Sequence, residues 1–121
     1  REISTGKYAT LIALFREKYK NGEPLTVVSP GTQLRNFTHI DDIISGLIMV
    51  GKKGDGDNYG IGCSQSFSIL EIANIFDTEI KMLPEREGNR MSSEVVCSKT
   101  KKLGWSETKS VELYIKNIIN N

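Results

Sequence analysis

The chain holds only two cysteines and one histidine, the side chains that most often bind zinc or act as thiol or imidazole catalysts. Cys63 and Cys97 form no C-x-x-C and have no cluster of further ligands beside them, so they read as small buried or half-buried thiols, not as a zinc site. No apolar run exceeds a few residues, which leaves no candidate for a membrane-spanning helix, and no basic segment followed by an apolar one opens the chain. A cytoplasmic protein is the resulting expectation. Charge of neither sign predominates: 16 Lys and Arg against 15 Asp and Glu leave a formal +1. That is too little to draw the chain to nucleic acid or an anionic membrane, so any anionic ligand has to be held by local arginines.

Catalytic signatures are equally scarce. There is no G-x-S-x-G and no H-E-x-x-H, and GKKGDG at 51–56 lacks the G-K-[ST] ending of a P-loop. The glycines between 51 and 60 follow a helical pattern instead of a strand, at the wrong spacing for a dinucleotide fingerprint, and read as loop.

What is present alternates helical and extended patterns. The 121 residues suit one domain, or part of one, and the polar start REISTG, with Arg1 in place of Met, suggests a piece of something longer. Tyr8, Leu11, Ile12, Phe15 and Tyr19 recur at helical spacing, and Asn21-Gly22 supplies a stop. PLTVV predicts a strand, SPGTQ a turn and NFTHI, residues 36–40, a second strand. Asp41 or Asp42 is placed to cap a helix over 42–51, leaving the other solvated. YGIG predicts a brief strand over 59–62. Ser68 and Glu71 have the spacing of a capping box ahead of a helix near 69. EIKMLP and SEVVC read as strands, SKTKK as a short helix closed by Gly104, and Val111, Tyr114, Ile115 and Ile118 as one face of a last helix. The fold class is mixed α/β, an α+β small domain of about four helices and four or five strands.

Among single residues, His39 within an alternating strand reads as a packing or hydrogen-bonding side chain, since no nucleophile is paired with it. Arg35 follows the SPGTQ turn and Arg86 lies in the PEREGN loop, both at edges where ligands approach. Guanidinium forks suit a diphosphate better than lysines do, and Asn89, three residues beyond Arg86, could add a hydroxyl contact. A solvated surface role stands beside this reading for both arginines.

Three stretches, in order, resemble the C-terminal part of the extended short-chain dehydrogenase/reductases, the NAD-dependent nucleotide-sugar epimerases and dehydratases of the UDP-glucose 4-epimerase kind. GEPLTVVSPGTQLRNFTHIDDIISGL is similar to the family's G-E-P-L strand, Gly-rich turn, Gln and R-D-[FY]-x-[HY]-V-x-D. NYGIG resembles its N-[IV]-G-x-G, and LPEREGNRMSSEVVCSKTKKLGW its P-x-R-x-G-D loop and D-x-S-K-x-x-x-x-L-G-W. The resemblance implies that Arg35 and Arg86 grip a nucleotide diphosphate from two sides, Asn89 meets the ribose, and Thr26, Val27 and Val28 lie along the base. It makes Phe37 and His39 packing residues and Asp42 the helix cap. Asn36 and Asn89 stand where the family usually has Asp, and SPG replaces its commoner G-D-G.

The family's G-x-x-G-x-x-G and Tyr-x-x-x-Lys have no counterpart: Tyr8, Tyr19, Tyr59 and Tyr114 are followed four residues on by Ile12, Glu23, Cys63 and Ile118. NAD is therefore expected in a parent enzyme, on an N-terminal Rossmann cofactor domain absent from this chain, whose residues 1–121 would form the substrate domain with no catalytic or metal residue of their own. The expected partners are a nucleotide-diphosphate sugar, that missing domain, and a second copy, through apolar surface on the helix from Tyr8 and the edge of the 37–40 strand. The alternative is a stand-alone, non-catalytic module that binds a nucleotide sugar or a protein. Which sugar, which nucleotide, and epimerisation against dehydration or decarboxylation stay open.

Overall fold

The computed structural model describes residues 10–62, 64–88, 91 and 96–120. The elements run α1 (Leu11–Lys20), β1 (Leu25–Val28), β2 (Leu34–Asn36), α2 (Ile40–Lys53), β3 (Ser66–Ser68), α3 (Ile69–Ile75), β4 (Ile80–Leu83), α4 (Ser98–Lys101) and α5 (Val111–Ile119). This is the mixed α/β class that the sequence predicts. Two small sheets form: β1 beside β4, parallel, with Val28 level with Leu83, and β2 antiparallel to β3, with Arg35 level with Phe67.

The core lies where α1, α3 and α5 close around β1. Period-2 geometry sends Leu25 and Val27 inward, both fully buried, and leaves Thr26 and Val28 half-buried on the opposite side. Helical periodicity does the same for Ile12, Ala13 and Phe15 of α1 and for Ile115 of α5. Phe15 meets Phe76 edge to face at 5.9 Å, and Tyr19 packs on the same ring at 5.8 Å. Gly22, at φ +70°, turns the chain after α1 as the Asn-Gly pair predicts. The capping box is present in full: Ser68 accepts from the Glu71 amide at 3.0 Å, and Glu71 from the Ser68 amide at 3.1 Å.

Several expectations are corrected. The strand expected over 36–40 lies at 34–36, and 37–39 lead into α2 without a ladder. The cap of α2 is His39, whose extended backbone (φ −68°, ψ 143°) lets Nδ1 accept from the Asp41 amide at 3.1 Å. Asp42 is not the cap; it is 2 % exposed and turned the other way. The 59–62 segment forms no ladder either: the Gly60 carbonyl accepts from the Thr100 hydroxyl at 2.6 Å, and Lys99 donates to the Asp57 carbonyl at 2.6 Å while lying over the Tyr59 ring. β3 was not anticipated: no element is predicted from sequence between the 59–62 strand and the helix near 69. The apolar face of α1 is covered within the chain; among the described residues the uncovered apolar face belongs to α2. Tyr8, most of the SEVVC strand and Cys63 lie outside the described residues.

Candidate functional site

The parallel pairing of β1 and β4 puts the carboxyl ends of both strands at one edge, the side of parallel strands at which ligands gather in α/β folds. Ser29 donates to the Leu83 carbonyl at 2.9 Å, so the chain beyond β4 departs beside the chain beyond β1. It is fastened again at its far end, where the Leu34 amide donates to the Met91 carbonyl at 2.7 Å. The loop carrying Arg86 is thus held between β4 and β2, and Arg86 comes to lie with Arg35 around one depression of about 310 Å³. Thr26 and Gln33 complete its polar lining, and Leu11, Leu14, Phe15, Val28, Ile69 and Leu83 its apolar lining.

Of the residues singled out in the sequence, Thr26, Val28, Arg35 and Arg86 meet here. Val27 does not: its side chain is fully buried in the core on the other side of β1. Asn89 lies outside the described residues. Arg35 donates from Nη1 to the Leu34 carbonyl at 2.7 Å, a bond that restrains its guanidinium near the depression. Two cations at one rim favour an anion with several acceptor oxygens, which guanidinium forks can engage two at a time.

Gln33 enters the sequence reading only as the Gln of the turn motif, with no site role assigned to it. It is 3 % exposed, its Nε2 donates to the Val28 carbonyl at 3.2 Å, and its Oε1 has no hydrogen-bond partner among the described residues. It braces the turn between β1 and β2, which also contains a cis Ser29-Pro30 peptide and Gly31 at φ +78°. A lone Gln in a turn carries no signal of burial.

A larger groove of about 390 Å³ lies between α1, α2 and α5, lined by Ile12, Phe37, Ile43, Val111 and Tyr114 with Arg16 and Lys109 at its rim. Lys109 pairs with Asp41 at 3.8 Å, and Arg16 lies 3.7 Å from Glu17. Its walls are mainly apolar, whereas the smaller depression has two arginines at its rim and is the better anion site. Among the described residues no three His, Cys, Asp or Glu side chains gather as a metal site would require, and no helix is long and apolar enough to cross a membrane.

One further polar cluster is structural. Asp42 accepts from the Thr108 amide at 3.0 Å, the Thr108 hydroxyl at 2.6 Å and the Lys109 amide at 3.0 Å. Burial by itself would raise this carboxyl, but those bonds, with His39 nearby, outweigh it and hold Asp42 below its ordinary value of 3.8. Trp105 donates to the Asp42 carbonyl at 3.0 Å and lies against Gly46, where an added Cβ would come within 3.1 Å of the indole nitrogen. Together these contacts fasten α2 to the segment before α5.

A sequence model of the NAD dependent epimerase/dehydratase family matches residues 3–62. The low-salt glycan biosynthesis protein Agl12 of Haloferax volcanii is 31% identical over 110 residues, spanning 84% of this chain and 36% of that protein. UDP-glucuronic acid decarboxylase 3 of Arabidopsis thaliana is 31% identical over 102 residues, 78% of this chain and 30% of that protein. Among solved structures, a UDP-glucose 4-epimerase with UDP-glucose from Thermotoga maritima superposes with a TM-score of 0.84 at 24% identity, over 99% of this chain and 41% of the other. A UDP-N-acetylglucosamine 4-epimerase from Methanobrevibacter ruminantium, in complex with UDP-N-acetylmuramic acid, gives 0.87 at 21% identity over the same shares. The chain therefore spans roughly a third to two fifths of the length of the proteins it matches. By its motifs, its fold and these relatives, the chain belongs to the NAD dependent epimerase/dehydratase family.

Proposed function

We propose that this chain is the substrate-binding portion of an NAD-dependent nucleotide-sugar epimerase or dehydratase, and that it clamps the diphosphate of a nucleotide-diphosphate sugar between Arg35 and Arg86. The observation that carries the reading is the meeting of these two arginines, distant in sequence, at one depression beside the carboxyl ends of β1 and β4. The UDP-sugars in the two epimerase structures support the class of ligand. Thr26 and Val28 offer a half-buried wall against which a base can lie, and Asn89 is assigned the ribose from sequence position. Binding and orientation of the sugar nucleotide, which lower the barrier by fixing the reacting group, are the contribution assigned to this chain.

NAD belongs to a longer enzyme in this reading. The residues here do not fit it: Gly51 continues α2, Gly54 donates its amide to the Val50 carbonyl, and a Cβ on Gly54 would meet that carbonyl oxygen at 2.5 Å, so the glycine-rich segment forms no open cradle for a pyrophosphate. Tyr-x-x-x-Lys is absent as well.

Calorimetric titration of the chain with UDP and with uridine tests the clamp. UDP is expected to bind and uridine to bind far more weakly. Arg35→Glu or Arg86→Glu is each expected to weaken UDP at least ~10-fold, with Lys116→Glu on α5 as the control for net charge. Equal affinity for UDP and uridine, or no effect of either reversal, would sink the reading.

A further inference from the structure

The chain's only histidine, His39, caps α2 through a ring nitrogen, where most helices use a side-chain oxygen. Nδ1 accepts from the Asp41 amide at 3.1 Å, which requires a neutral ring with its hydrogen on Nε2. The same Nδ1 lies 3.7 Å from Asp41 Oδ2, and that oxygen lies 3.8 Å from Lys109 Nζ. One carboxylate oxygen thus stands between two nitrogens, and only the lysine is charged while the ring is neutral. Among the described residues, the other charged or titratable groups around the ring are engaged elsewhere. Asp42 accepts from Thr108 and Lys109, and Tyr114, which meets the ring in a T-shaped contact at 6.0 Å, accepts from Arg16 at 3.5 Å.

We infer that His39 is a pH-responsive clasp: a proton on Nδ1 releases the Asp41 amide and draws the Asp41 carboxylate away from Lys109. A protonated imidazole carries hydrogen on both nitrogens and cannot accept, so the cap bond to the Asp41 amide is lost. The new donor has Asp41 Oδ2 as its near acceptor, and the bridge from that oxygen to Lys109 is half-exposed on both sides, a kind of ion pair that holds weakly. The backbone around the exchange stays in place. The Asp42 and Ile43 amides donate to the His39 carbonyl at 3.0 and 3.1 Å, and the Lys109 amide is held by Asp42. What changes is charge at the rim of the groove between α1, α2 and α5, where His39 becomes a cation and Lys109 gives up its counter-ion. Imidazole is the side chain that ordinarily takes up a proton between pH 8 and pH 5, so the exchange lies within a range that cells reach.

The clasp is separate from the arginine depression, and its test is independent of nucleotide binding. Proton–nitrogen NMR of the 121-residue chain from about pH 7.5 to pH 5, above the ordinary range of carboxylates, follows the single ring through its own Cε1 proton. The Asp41 amide proton is expected to move upfield as it loses its acceptor, and the Lys109 ε-methylene protons to shift, both with the midpoint of the ring. His39→Asn keeps a capping acceptor without a titrating ring; it is expected to retain the circular-dichroism spectrum and to lose both shifts. An Asp41 amide that stays fixed while the wild-type ring titrates would overturn the inference. So would Lys109 protons that do not follow the ring, or shifts that persist in His39→Asn.

Discussion

Asp42 is nearly sealed from solvent yet remains ionised, because three hydrogens from Thr108 and Lys109 replace the water it has lost. Asp42→Ala strands two backbone amides and is expected to cost about 3 kcal/mol; Asp42→Asn keeps the shape, loses the charge, and is expected to cost ~1–2 kcal/mol, both read from urea unfolding at pH 7. The sign with pH follows from the lowered value. The contribution is complete above the unfolded carboxyl's pKa of about 3.9 and is lost as pH falls through the native one. The stability gap between the wild type and Asp42→Asn is therefore expected to narrow below about pH 4; a gap that widens there would contradict the account. Position alone made Asp42 a cap, since a carboxylate ahead of an apolar helix ordinarily takes its free amides. The residues that claimed it lie 66 and 67 positions further on, beyond the reach of any local pattern.

Elements whose signals are local appear where the sequence places them. The Ser68 and Glu71 pair closes on itself within one turn and owes nothing to the rest of the fold, so Ser68→Ala is expected to lower stability by ~1 kcal/mol. Gly31 is local and tertiary at once. Its φ of +78° favours glycine, and a Cβ there would lie 2.6 Å from Leu70 Cγ and 2.9 Å from Val27 Cγ1. Gly31→Ala is expected to cost about 1–3 kcal/mol in thermal or urea unfolding and to weaken UDP as well, because the same turn leads to Arg35. Unchanged UDP affinity in a folded Gly31→Ala protein would separate the turn from the site. Strand positions were less legible. Residues 36–40 and 59–62 have strand-like composition, but a ladder needs a neighbour. His39 found the end of a helix instead, and Gly60 found a threonine side chain.

At the scale of the whole molecule, one core joins α1, α3, α5 and β1, with Phe76 fully buried between Phe15 and Tyr19. Phe76→Ala is expected to remove ~3–5 kcal/mol and to lower the urea midpoint of the whole chain in a single transition. Two transitions would mean that the 25–83 sheet and α5 do not share that core. The sequence by itself determined the mixed α/β class, the helices that follow local periodicity, the stop at Gly22 and the capping box at Ser68. Each of these depends on the conformational preference and one-sided burial of a few adjacent residues. The tertiary structure decided that Val27 turns away from the depression, that β3 pairs with β2, that α2 and not α1 shows an uncovered apolar stripe, and that Arg35 and Arg86 share a rim. Those outcomes rest on the parallel register of β1 with β4 and on the Leu34–Met91 bond, contacts between distant segments whose geometry no run of neighbouring residues encodes.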